Sequence, residues 1–282
     1  MTDKPDLDHL RQWIGRSTEA SDIVTAQLVR GLRATLFMDI GEPKPGDAAP
    51  FTTHWCLAQP VFPMSDLGPD GHPTRGGFLP PVPLPRRMWA GGELEFFDTL
   101  RVGDEAKRTS RISDVTMKTG STGVLCFVSV EHLIATSRGT AIRERQDIVY
   151  RDISTATAPA PAKLPAPPPA AQHRESHMAD AVLLFRYSAL TFNGHRIHYD
   201  RDYATKVEGY PGLIFHGPLQ AALQVELAAK LHGNAPKKFS YRGVQPLFEG
   251  AFSVNANKTD SGMELWTANS AGQPTMKGTA TW

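Results

Sequence analysis

Between Pro218 and Gly233, leucines 219, 223, 227 and 231 recur every four residues. They mark one apolar line of a helix, ended where glycine takes the C′ position. Short apolar runs separated by turn residues follow at 239–244, 250–257, 263–268 and 275–282. In the last of these, Met276, Gly278, Ala280 and Trp282 alternate with polar residues, as in a strand with one wet face. The first half repeats this order. Ser21 is placed to cap a helix through Ile23, Leu28, Leu32, Leu36 and Met38. Residues 46–85 read as loop, and strand signals come at 93–97, before a Gly103-Asp104 turn, and at 124–134 and 142–150. A helix followed by long antiparallel strands, twice over, predicts an α+β fold in which a curved sheet wraps a helix in each half.

The halves are separated by residues 154–171, made almost wholly of Ala, Pro, Ser and Thr. This composition buries little apolar area and predicts a semi-rigid linker between an N-terminal half, 1–153, and a C-terminal half, 172–282. Charge adds an exclusion: 30 basic residues balance 29 acidic ones, with no clustered basic face, so nucleic acid is not the expected partner. Cys56 and Cys126 have neither metal-ligand nor redox spacing and read as buried thiols in a reducing compartment. The polar start of the chain lacks the apolar core of a secretory leader. No run reaches the length of a membrane span, so a soluble cytoplasmic protein without a membrane partner is expected.

The chemistry concentrates in two neighbouring segments. Leu190-Thr191-Phe192-Asn193-Gly194-His195-Arg196-Ile197-His198-Tyr199-Asp200 sets an amide five residues before a histidine in a polar turn. Gly209 to Leu219 is a Gly/Pro-rich entry leading into the leucine-lined helix. A neutral imidazole at His198 can take a proton from water and return it. Asn193 can orient that water through its amide oxygen but cannot accept a proton, unless it is simply a turn residue. At Gly217 the first N–H groups of the helix favour negative charge, as on a thioester oxygen becoming an enolate; the alternative is that glycine there only permits close packing. Arg86, Arg87 and Arg196 are candidates to grip an anionic substrate, against an ordinary structural or solvated role. His195, His198 and His216 lack the company usual for zinc, so no metal is expected.

These segments resemble the hydratase motif of MaoC-like enzymes, Gly-Asp-x-Asn-Pro-Leu-His. His198 matches the motif's histidine and Ile197 its leucine, while Asn193 stands at its aspartate, Phe192 at its first glycine, His195 at its asparagine and Arg196 at its proline. Tyr203-Ala204 matches the Tyr-Ala that often follows, and Phe215-His216-Gly217-Pro218-Leu219 is similar to the family's Ala-His-Gly-Met-Leu helix entry. The wording of the motif, with Pro83 to Gly92 and Arg145 to Arg151, resembles one branch. That branch holds type 2 hydroxyacyl-thioester dehydratases and the mesaconyl-C4-CoA (3-methylfumaryl-CoA) and itaconyl-CoA hydratases.

The resemblance implies a double hot-dog in which the second half carries Asn193, His198 and Gly217 while the first shapes the acyl pocket. It further implies a hydro-lyase acting on a short dicarboxylic enoyl-CoA. Arg86, Arg87, Arg196 or His216 would meet the substrate, coenzyme A would be part of that substrate with no separate cofactor, and a homodimer is possible. Three alternatives stay open: a fatty-acid-type 3-hydroxyacyl dehydratase working on coenzyme A or carrier protein, a non-catalytic acyl-binding module, and a hot-dog thioesterase.

Overall fold

The computed structural model describes residues 5–120, 123–152 and 170–282. After a short helix α1 (Leu7–Arg11), the first half gives β1 (Ser17–Ile23), α2 (Ala26–Thr35), β2 (Arg86–Phe96), β3 (Glu105–Gly120), β4 (Gly123–Thr136) and β5 (Gly139–Arg151). The second half gives β6 (His173–Ala179), α3 (Ala181–Leu190), α4 (Gly217–His232) and β7 (Lys238–Gly243), then β8 (Gly250–Thr259), β9 (Gly262–Asn269) and β10 (Pro274–Thr281). The strands form one antiparallel sheet in the order β1-β3-β4-β5-β2-β7-β10-β9-β8-β6. The halves are therefore stitched edge to edge, with Gly91 opposite Arg242 and Glu95 opposite Lys238 on the β2–β7 ladder.

The expected cap at Ser21 is corrected. Ser21 lies inside β1, paired with Lys107 of β3, and Thr25 caps α2 by accepting the Leu28 N–H at 3.1 Å. The polar segment 17–23 needs no apolar face because it is an edge strand exposed along its length. The helix signal begins only after it. Of the predicted linker at 154–171, only Ala170 and Ala171 fall within the described residues, so it lies outside them otherwise.

α4 follows the leucine pattern and ends at Gly233, whose φ of 94° satisfies the left-handed C-cap. Its Leu219, Leu223 and Leu227 share one core with Val29 and Leu32 of α2. Polar pins fix its position on the sheet, since Gln220 Oε1 accepts from Thr267 Oγ1 at 2.6 Å and Thr275 Oγ1 at 2.8 Å. In the first half a buried 3₁₀ turn, Thr53–Cys56, packs Trp55 edge-on against Trp89 of β2, with ring centroids 5.1 Å apart. Cys56 and Cys126 are buried free thiols. No helix among the described residues is long and apolar enough to cross a membrane.

Candidate active site

α3 aims the polar turn. Asp180 caps it by accepting the Leu183 N–H at 2.8 Å, and the helix stops where Phe192 turns left-handed with φ 48°. The chain then folds back, with Asn193 N donating to Ser188 O at 2.8 Å and Asn193 Oδ1 accepting the His195 N–H at 3.0 Å. A 3₁₀ turn, Arg196–His198, follows. Only glycine takes a left-handed φ without cost, which explains the glycine of the motif at this point. Phe192→Gly is therefore expected to raise stability by about 1 kcal/mol, because its exposed ring gives up little packing. Urea denaturation with an unchanged m-value checks this, and a lowered midpoint would refute it.

His198 and the start of α4 are held together by two crossing bonds. Ile214 N donates to Ile197 O at 3.0 Å, and His198 Nδ1 donates to Ile214 O at 2.7 Å. That second bond fixes the tautomer and leaves Nε2 as the lone-pair nitrogen. The His198 ring stacks on His216, centroids 3.6 Å apart and planes 19° from parallel. His216 in turn bonds Ser188 Oγ through Nε2 at 2.9 Å. Gly217 comes next, as the first residue of α4, where backbone N–H groups lack partners within the helix. A Cβ at Gly217 would lie 3.9 Å from the Trp89 carbonyl oxygen, so β2 of the first half borders this helix start.

Burial keeps these imidazoles neutral. It carries His198 down to about 4, opposed by the bond to Ile214 and assisted by His72. It carries His195 to about 2, with His72 and His198 adding to the effect, and His216 well below its ordinary range. A neutral His198 with a free Nε2 is a base at physiological pH, and the neighbouring helix start is an anion site.

The first half supplies two residues that sequence reasoning missed. Its loop reaches the polar turn through Pro69 O and Asp70 O, which accept from Arg196 Nη1 and Arg196 N, each at 2.9 Å. Gly71 (φ 84°) is pressed so close to Gly194 that a Cβ would stand 2.0 Å from its carbonyl oxygen. Across this contact Asp70 accepts from His72 N at 3.0 Å and from His72 Nδ1 at 3.1 Å. The His72 ring lies 4.0 Å from His195, whose own ring is 5.5 Å from His198. The Asp70-Gly71-His72 turn was the available local signal, but it sits far from the motif in sequence.

Asp70, His72 and His195 have donor atoms within 4.8 Å of one another, close enough to share an ion. Asp70 already accepts two bonds from His72, however, and that is the arrangement of an anchored imidazole. Among the three candidate arginines, Arg196 is committed to Asp200 at 2.7 Å and lies over the Tyr203 ring. Arg86 donates to Glu208 O at 2.7 Å and lies near the Glu208 carboxylate and the Tyr210 ring. Arg87 stands opposite Tyr150 on the β2–β5 ladder.

A helix held on a curved sheet in each half, with an imidazole and a free helix start at one entry, defines an α+β double hot-dog built for acyl-thioester chemistry. The chain belongs to the hydroxyacyl-thioester dehydratase type 2 family, whose pattern matches residues 52–249. It is 44% identical over 237 residues to the mesaconyl-C4-CoA hydratase of Chloroflexus aurantiacus, covering 84% of each chain. The fold is shared with a MaoC-like dehydratase from Phytophthora capsici, at TM-score 0.71, 13% identity and 99% coverage of both chains. A Mycobacterium tuberculosis protein described as a double hotdog fold matches at TM-score 0.51 and 13% identity, with 95% of each chain covered.

Proposed function

We propose that this protein is a hydro-lyase that adds water reversibly across the double bond of an enoyl-coenzyme A thioester. The acyl group is short and carries a second carboxylate on the β-carbon, as in mesaconyl-C4-CoA. The observation that carries the reading is His198, with Nδ1 committed to Ile214 O and its ring stacked on the residue that precedes Gly217. Asn193 holds the water, and His198 Nε2 takes its proton as the oxygen bonds to the β-carbon. The π pair moves through the α-carbon onto the thioester oxygen, where the Gly217 N–H and the start of α4 stabilise it by about 3 kcal/mol per aimed donor. The imidazolium then returns its proton to the α-carbon, so the step balances as addition of one water. Coenzyme A belongs to the substrate, and no other cofactor takes part.

The relative's name supports the dicarboxylic substrate, and the family description supports a second reading, dehydration of a plain 3-hydroxyacyl thioester. Purified protein mixed with mesaconyl-C4-CoA and with crotonyl-CoA tests both through the fall in enoyl-thioester absorbance. Loss without free thiol, fastest with a dicarboxylic ester, is the expected result. A preference for crotonyl-CoA favours the second reading. Release of thiol indicates a thioesterase, and binding without turnover a silent acyl-binding module; either overturns the proposal.

A further inference from the structure

We propose that Ser188 is a positioning residue of the reaction, a role that deepens the enoyl-thioester reading above and rests on it. Its hydroxyl holds the His216 ring flat against His198, and that stacked face steadies the positive charge His198 gains with the water's proton.

The hydroxyl serves no other group. Ser188 lies in the last turn of α3, among the buried Leu183, Leu184 and Tyr187. A serine inside a helix ordinarily turns to solvent or bonds the carbonyl four residues back. Here the residue is 6% exposed, and among the described residues its Oγ bonds only His216 Nε2, at 2.9 Å. The Ser188 carbonyl meanwhile accepts the Asn193 N–H at 2.8 Å. One residue thus anchors both the turn that carries Asn193 and the imidazole stacked on His198.

His216 depends on that bond. It is 1% exposed, and its Nδ1 is buried without a partner among the described residues, so Ser188 supplies the ring's one hydrogen bond there. Tyr187 meets it edge-on, with centroids 5.0 Å apart and planes at 64°, which confines the ring without a polar grip. One face lies against His198 at 3.6 Å, 19° from parallel. Removing the hydroxyl leaves two bare nitrogens in a buried place. The ring then gains by turning toward another polar group, and the parallel stack is lost.

The stack matters when His198 is charged. As water adds, His198 Nε2 takes a proton and the ring becomes a buried cation. A cation is attracted to the face of a neutral aromatic ring, and burial keeps His216 neutral, with the charges of His198 and His195 acting in the same direction. No carboxylate does this work: Asp70 bonds His72, and His198 Nδ1 is given to the Ile214 carbonyl. The attraction grows as the proton moves, so its effect belongs in kcat and not in substrate binding.

The test is a double-mutant cycle in the full chain. Ser188→Ala is made alone and in a His216→Phe background, where the ring needs no hydrogen bond. On mesaconyl-C4-CoA the single change should lower kcat about 10-fold, the scale of one lost hydrogen bond or cation–ring contact, with KM within about 2-fold. In the His216→Phe background the same change should alter kcat by less than about 2-fold, because the serine acts through a nitrogen that phenylalanine lacks. An equal loss in both backgrounds would show that Ser188 merely supports the helix and would overturn the inference. A wild-type kcat in Ser188→Ala, or a loss confined to KM, overturns it as well.

Nuclear magnetic resonance of isotope-labelled histidines gives a second readout that needs no turnover. The ring protons of His198, assigned against His198→Ala, are shielded by the stacked His216 and should move toward unstacked positions in Ser188→Ala. Unchanged shifts overturn the inference. If the wild type hydrates no ester, the hydratase reading falls, while these shifts still decide whether Ser188 sets the stack. Should Ser188→Ala not fold, Ser188→Cys, close in volume and a weaker hydrogen-bonding partner, carries the same comparisons with a smaller expected loss.

Discussion

His198→Ala is expected to lower kcat/KM for the enoyl-thioester substrate by about 10²–10⁴-fold, the usual contribution of a positioned acid–base group. Nothing beside it can take over. Asn193 has no proton-accepting capacity at neutral pH, and His216 spends Nε2 on Ser188 Oγ. His195 is held neutral by burial down to about 2, which makes it a far weaker base. The same electrostatics predict the pH profile. Because burial depresses His198 to about 4, its base form is complete at pH 7, and the acidic limb of kcat/KM should lie near 4 in place of 6.5. Stability follows the same sign. The unfolded imidazoles bind protons from 6.5 downward and the folded ones do not, so the fold is fully supported above 6.5 and loses stability as pH falls toward 4. Steady-state kinetics from pH 4 to 8 on wild type and variant check both effects. An alanine variant turning over at the wild-type rate would end the proposed mechanism.

The parts of the molecule that sequence reveals are those whose signals are local. α4 announces itself by its leucine spacing and Gly233, and β7 to β10 by apolar runs between turns. Five elements escape, the short α1 among them. β1 and β6 are edge strands with largely polar sequences, held by the ladders to β3 and β8 and not by an apolar face. β3 alternates, but a bulge between Ile112 and Asp114 shifts its period midway. α3 was hidden in the polar approach to the motif, although Asp180 and the buried Leu183, Leu184 and Tyr187 mark it. At the candidate site, the 193–198 turn and the helix entry at Gly217 are near in sequence, and the stacking of His198 on His216 joins them in space. Asp70 and His72 are not legible in the sequence, because only the packing of Gly71 against Gly194 brings their loop to the turn. No periodicity encodes that contact.

Glu144→Ala is expected to cost about 3–5 kcal/mol, the scale for breaking one side of a buried charged network. Glu144 on β5 is 1% exposed. Burial alone would raise its carboxyl, but the hydrogen bond from His54, the charges of His54 and His132 and the bond from Gln146 bring it down to about 2. It is therefore an interior anion. It accepts from Trp55 Nε1 at 2.8 Å, from Gln146 Nε2 at 2.9 Å and from His54 Nε2 at 3.2 Å. Alanine leaves all three without that acceptor in a site from which water is largely excluded. Against a total of about 5–15 kcal/mol for an ordinary domain, such a loss should move the urea midpoint far down, and a shift worth less than about 1 kcal/mol would contradict the account. Glu144→Gln, which keeps an acceptor for Trp55, should lose less. The consequence extends to the site, because Trp55 packs on Trp89 and the Trp89 carbonyl borders the helix start at Gly217. A glutamate in the first half thus braces the wall beside the position assigned to the thioester oxygen, and the glutamine variant should retain both that wall and most of the turnover that alanine forfeits.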